Sequence, residues 1–466
     1  MNKKWLQQTP FLLSLLVFTY VLLRAVILDI TYDEAWTIGT YVTGTYKNIL
    51  TYVPCDSNNH LINSLLIKTL YLILPETTFV ARLPSLLAFF LYLRFAQLLT
   101  KSENHPAGPF VFILLIGNPF LLEFFSLARG YSLSMAAVLG SLYYFTRYHR
   151  SLKLSNLAAS LGLAAFSGLS VFSFLNFFAG LLLISFLHLL FKKKSNYAKV
   201  LGLLVLVAGS IAGLLWIPFQ RLTQFGNLYY GGGTGIWQDT LLSLTRYSQY
   251  SMFPLASTAL VLSLVLLCLA TLIVLSLRGN ARPDFSRSWV LLLLLSCLLI
   301  NSLQVKLING FYLIDRTALF LYPLFMLAPW YFLKPLPVQK LSYFIFALLA
   351  VFFFGNTLVH ANGQKTLTWF FDSRTREILS TFEERGKKEN RKIPVGCSWP
   401  FEKTLTWYLS QEQYPHVEFR WDPEYYLYLD SGLDQIDYYP QQEKLEQYRH
   451  GIVSQYPKEH IFVFKR

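Results

Sequence analysis

Long apolar runs recur along this chain and leave little room for any other architecture. Eleven of them, near 10–29, 80–99, 109–127, 131–148, 154–171, 174–191, 199–219, 252–277, 288–305, 317–333 and 341–359, are long enough for transmembrane helices, which need roughly 17–25 residues to cross a bilayer. A hydrophobic content of 54% and a mean hydropathy of +0.41 place the chain among polytopic membrane proteins and exclude an ordinary soluble enzyme. The run Leu61–Leu74 is shorter, carries Asn63 and Lys68, and ends at Pro75. It reads as an amphipathic helix lying in the interface.

Charge tests this arrangement. The formal net charge is +14, which by itself would suit a nucleic-acid partner. Residues 361–466, however, hold 15 basic and 16 acidic residues, so the excess belongs wholly to the apolar part. With the N-terminus inside, fifteen basic residues fall in cytoplasmic segments and seven in the outer segments before the tail, which have the greater total length. That is the positive-inside bias, and it speaks against nucleic acid. Counting Leu61–Leu74 as a further span would put Lys192–Lys194 outside, so eleven spans fit better. The expected fold is a polytopic α-helical membrane protein of about eleven transmembrane helices, with juxtamembrane helices in the first outer loop and a small C-terminal extracytoplasmic α/β domain. The domains are 1–360, whose first outer loop is 31–79, and 361–466. In the tail, Ile393–Cys397 and Ile461–Phe464 read as strands and Glu402–Ser410 as a helix.

Only ten carboxylates occur in the first 360 residues, and five of them lie between residues 29 and 76. Ionisable groups at a bilayer edge are costly unless hydrated or paired, so they mark a candidate site. Asp33 and Glu34 follow the first span directly. Asp33 also fits a structural role as the N-cap of a short helix, and the residues leave both open. The same outer face collects His60 and Lys68 from the first loop, Arg129 from a short turn, and Asp315-Arg316 before a late span. A carboxylate that takes a proton beside cations that hold a phosphate is what transfer from an anionic donor requires. Arg129 equally suits an interfacial anchor, and Asp315-Arg316 a local ion pair. Glu123 lies inside the 109–127 run and calls for a partner or a hydrated cavity. The glycines after Tyr229-Tyr230 lack the Gly-Lys-Ser/Thr of a phosphate loop. Four cysteines show no metal-ligand spacing; Cys55 and Cys397 share the outer compartment, which leaves a disulfide between them open.

The order of short motifs now becomes informative. An Asp33-Glu34 pair follows the first span and Asn59-His60 opens the amphipathic helix. Ala81-Arg82-Leu83-Pro84-Ser85 enters the next span, and Asn118-Pro119-Phe120 and Ala128-Arg129-Gly130-Tyr131 follow. In this order they resemble the bacterial branch of glycosyltransferase family 39, related to protein O-mannosyltransferases and aminoarabinose transferases, with the C-type glycosyltransferase fold. The resemblance covers residues 30–150, is weaker at Asp315-Arg316, and does not extend to the tail.

It implies an inner-membrane enzyme that moves a sugar from a polyprenyl-phosphate donor to a glycan, lipid or protein acceptor on the outer face, with inversion. Asp33 matches the family's acidic position and Glu34 its neighbour. Arg129 and Arg316 would hold the donor phosphate, assisted by His60 or Lys68. Two departures stand out: His60-Leu61-Ile62 replaces a frequent His-Pro-Pro, and Ser126-Leu127 replaces a frequent Gln-Glu. Glu123 is the candidate second acid in place of that missing Glu. No cofactor is assigned, and a divalent metal stays open. The rival readings are a transporter or flippase for a lipid-linked sugar, and a non-catalytic member acting as a binding or assembly subunit.

Overall fold

The computed structural model describes residues 3–191, 197–226, 231–250, 285–333, 339–429 and 451–465. The expected span 252–277, Lys192–Lys194 and Tyr229-Tyr230 lie outside them. The chain divides into two compact units, one of Met1–Leu22 and Tyr46–Ala361, the other of Leu23–Thr45 and Asn362–Arg466.

Among the described residues, six helices are long and apolar enough to cross a membrane. They are α1 (Lys3–Ile27), α5 (Thr78–Ser102), α10 (Leu175–Phe191, continuous with a 3-10 turn at Phe172–Phe174), α11 (Tyr197–Gln224), α13 (Phe285–Ile308) and α15 (Gln339–His360). Shorter helices fill the first unit: α3 (Tyr46–Thr51), α4 (Leu61–Tyr71), α8 (Tyr131–Ser151), α9 (Leu154–Ser170), α12 (Ser243–Ser248) and α14 (Leu321–Leu333). The chain is thus a mostly helical, multi-pass membrane protein. At 11 residues, α4 is about 17 Å long, too short to span.

The expected single span 109–127 is two helices, α6 (Gly108–Ile116) and α7 (Pro119–Phe125), bent by 62°. The cause is local. Pro119 has no N–H to continue α6 and holds Asn118 extended, at φ −131° and ψ 113°. The Asn118 side chain then accepts the Leu121 N–H at 3.0 Å and starts α7 afresh. Hydropathy cannot register such a bend, because the apolar run continues through it.

α8 and α9 are held by reciprocal bonds: Ser141 Oγ donates to Ser160 O, and Ser160 Oγ to Ser141 O, both at 2.8 Å. Small polar residues permit this close approach where hydrocarbon provides no hydrophobic drive. The 154–191 region is two helices, as its central serines suggest, with α9 ending at Ser170.

The second unit carries α2 (Tyr32–Thr37), α16 (Thr375–Glu389), α17 (Glu402–Ser410) and a five-stranded sheet of order β2-β1-β3-β5-β4. Here β1 (Ile393–Cys397) runs parallel to β2 (Val417–Phe419) and β3 (Tyr425–Leu429). The last strand, β5 (Ile461–Lys465), pairs antiparallel with β3 and β4 (Ile452–Tyr456). Ile393, Val395, Tyr425, Leu427 and Val463 are buried and supply its core. The bounds of β1 and α17 are those expected from the sequence, and β5 ends one residue later. Cys55, Cys297 and Cys397 are free cysteines.

Candidate active site

In the first unit, the loop ahead of α4 is pinned by its own polar groups. Asn59 Nδ2 donates to Ile49 O at 2.9 Å, the Tyr52 hydroxyl donates to Asn59 O at 2.8 Å, and Ser64 Oγ donates to Asn59 Oδ1 at 2.9 Å. The turn between α7 and α8 is held in the same way. Asn63 Nδ2 donates to Ala128 O at 2.9 Å, and Ser85 Oγ to Leu127 O at 2.5 Å. All five side chains that donate these bonds are buried, so each bond is shielded from competing water.

His60 is the N-cap residue of α4 but makes no capping bond with its side chain. The ring instead reaches the α7–α8 turn, where the Gly130 N–H donates to Nδ1 at 2.7 Å. The Arg129 guanidinium lies 3.1 Å from the other nitrogen, Nε2, and donates to Asn58 Oδ1. Gly130 is required here: a Cβ would stand 2.5 Å from Ser170 O and 2.7 Å from His60 Nδ1. Burial, followed by the charges of Arg129 and Arg316, holds the His60 pKa well below its ordinary value.

The tautomer follows. Since Nδ1 accepts from Gly130, neutral His60 carries its proton on Nε2. Nε2–H and the guanidinium are then two donors side by side, with Arg316 adding positive potential. Such a group is matched to an oxyanion, whose oxygen can accept from both. Arg316 enters from the 3-10 turn Asp315–Ala318. Asp315 holds φ +36°, costly for a residue with a Cβ, while its N–H donates to Ser243 Oγ at 2.7 Å.

Two other candidates in this unit engage different partners. The Lys68 ammonium lies 5.3 Å from the centre of the Tyr46 ring, a cation–π contact, and eight helical residues put it about 12 Å along α4 from His60. Glu123 is buried on α7 and accepts a hydrogen bond from the Tyr250 hydroxyl, a partner the sequence did not suggest.

In the second unit, Asp33 and Glu34 have separate tasks. The N-cap of α2 is Thr31, not Asp33, and Glu34 completes a capping box. Glu34 Oε2 accepts from Thr31 N at 2.9 Å and from Thr31 Oγ1 at 3.0 Å. The structural role therefore belongs to Glu34, which is fully buried, whereas Asp33 is 8% exposed. Sequence reading missed Asp372, also buried, whose Oδ2 accepts the Tyr32 N–H at 2.7 Å. Its available signal was an acid directly after the aromatic stretch Trp369-Phe370-Phe371. Among the described residues, no group of three His, Cys, Asp or Glu is arranged to hold a metal ion.

No protein family matches the chain by sequence, and no curated protein matches it. Among solved structures, the crystal structure of ArnT from Cupriavidus metallidurans in the apo state matches with a TM-score of 0.53. The match covers 97% of this chain and 97% of that one at 10% identity, and it establishes a shared fold.

Proposed function

We propose that this protein is a membrane glycosyltransferase of the C type, which transfers a sugar from a polyprenyl-phosphate donor to a cell-envelope acceptor on the outer face of an inner membrane. The observation that carries the reading is the donor pair of the first unit. His60 Nε2–H and the Arg129 guanidinium lie 3.1 Å apart, and an oxygen of the donor phosphate can accept from both. The fold shared with ArnT, an aminoarabinose transferase, supports the same class.

In the proposed reaction the acceptor hydroxyl attacks the anomeric carbon and a new C–O bond forms. The bond from that carbon to the phosphate oxygen breaks, and polyprenyl phosphate leaves with the electron pair. The hydroxyl proton passes to Asp33, and in-line displacement inverts the anomeric centre. Arg129, Arg316 and the neutral His60 stabilise the departing phosphate, each such donor being worth about 2–4 kcal/mol in comparable sites. Eleven spans, an N-terminus inside and a tail outside complete the proposal.

One observation favours a transporter instead: the α6–α7 break, because discontinuous helices line many substrate pathways. Transporters of that kind pair such breaks in two halves, and one bent pair is found among the described residues. Incubating the purified protein with labelled polyprenyl-phosphate sugars and acceptor extracts separates the readings. Transfer supports the enzyme, vesicle translocation without transfer would replace it with a transporter, and binding alone with an assembly subunit.

A further inference from the structure

The segment leading into α2 is held along its backbone by residues that lie more than 330 positions later. Arg24 donates to Asn362 O and, at 3.1 Å, to Lys365 O. The Arg376 guanidinium donates to Ile27 O and pairs with Asp29, which also accepts the Arg376 N–H at 3.1 Å. Ile30 N–H donates to the Tyr408 hydroxyl at 3.0 Å, and Tyr32 N–H donates to Asp372 Oδ2 at 2.7 Å. An entering segment would ordinarily leave these groups to water. Here the tail satisfies them in sequence, from Ile27 to Tyr32.

The last of these bonds is the most telling. Tyr32 is the first residue of α2, so its N–H has no partner within the helix. Asp372 supplies one, one residue before Asp33. We propose that Asp372 is a positioning residue for Asp33, and that the C-terminal domain acts as a clamp that sets the direction of the acid helix through Asp372, Tyr408 and Arg376. This rests on the reading of Asp33 as the proton acceptor.

The surroundings of Asp372 agree with a residue kept for geometry at some cost. Burial pushes its carboxyl well above the usual range, and the neighbouring charges of Asp29 and Asp33 push it the same way. The Tyr32 N–H and the Thr404 side chain act against them. Arg376 from α16 is committed to Asp29. An Asn side chain reproduces this carboxyl in shape and in its acceptor oxygen.

Hydrogen exchange and kinetics on the full-length protein in nanodiscs test the clamp. In Asp372→Ala, amide exchange at residues 30–35 should speed up at least tenfold, and turnover should fall by a similar factor while donor binding is retained. Asp372→Asn should keep the protection and most of the turnover. Tyr408→Phe, which removes the acceptor of the Ile30 N–H, should loosen residue 30 with a smaller kinetic loss. Unchanged exchange in both Asp372→Ala and Tyr408→Phe would overturn the clamp, and so would loosened exchange with wild-type turnover. Active Asp33→Asn protein would remove the proton-acceptor reading, and the exchange data would still decide the clamp.

Discussion

The Gly130 N–H donates to His60 Nδ1 across 2.7 Å, and this bond decides which ring nitrogen of His60 can serve a ligand. Gly130→Ala is expected to displace the imidazole, because the new methyl would meet both Nδ1 and the Ser170 carbonyl below van der Waals distance. Affinity for a polyprenyl-phosphate donor should fall about tenfold or more, the worth of one hydrogen bond to a charged group. Titration of binding against a fluorescent donor analogue checks it, and wild-type affinity would show that the ring is not set by Gly130.

His60 should also leave a signature in pH. Its folded pKa is lowered, so the unfolded chain binds the extra proton first as the pH falls. Stability is therefore expected to be full above about 6.5 and to decline below it, by at most about 1.4 kcal/mol per pH unit. Thermal melts of wild type and His60→Gln between pH 8 and 5 measure this difference. Parallel curves for the two proteins would contradict the neutral, buried ring.

Arg129→Lys keeps the charge and removes the planar fork that spans Asn58 and His60. Donor binding or turnover should drop about tenfold or more, with expression unaltered. Arg316→Lys should behave similarly. A residue that merely anchored the protein at an interface would accept lysine, so normal kinetics in both variants would return these arginines to that role.

Asp33 and Glu34 should separate cleanly. Asp33→Asn is expected to lower turnover by about 10²–10⁴, the usual worth of a general base, while leaving melting unchanged. Glu34→Ala should instead lower stability by about 1–2 kcal/mol, since the Thr31 N–H and hydroxyl both lose their acceptor. More than a tenth of wild-type turnover in Asp33→Asn would be incompatible with proton abstraction by that carboxylate.

The proposed topology predicts that a cysteine at position 153 is shielded from an impermeant maleimide in intact cells, whereas one at position 412 is labelled. Both native side chains are exposed, so access is governed by the membrane. Labelling at 153 with none at 412 would invert the arrangement.

Local patterns were legible in the sequence to the extent that they depend on near neighbours. The tail strand at Ile393–Cys397 and the helix at Glu402–Ser410 stand where alternation and helical periodicity place them. The separation of α9 from α10 was readable from its serines. The cap of α2 is written in the sequence too, because Thr31-x-x-Glu34 is a capping-box pattern. The 62° bend was announced by Asn118-Pro119, yet run length outweighed it.

The sequence by itself determined a multi-pass helical chain with a small α/β tail, and it singled out Asp33, His60 and Arg129. Continuous apolar length, charge asymmetry and side-chain chemistry are properties of short windows, so they survive in one dimension. Only the tertiary structure decided that His60 presents Nε2–H, that Glu123 meets Tyr250, and that Asp372 holds the first amide of α2 from 340 residues away. These are pairings of single groups across long loops. No periodicity records them, because each depends on where the packing of many other residues brings two atoms together.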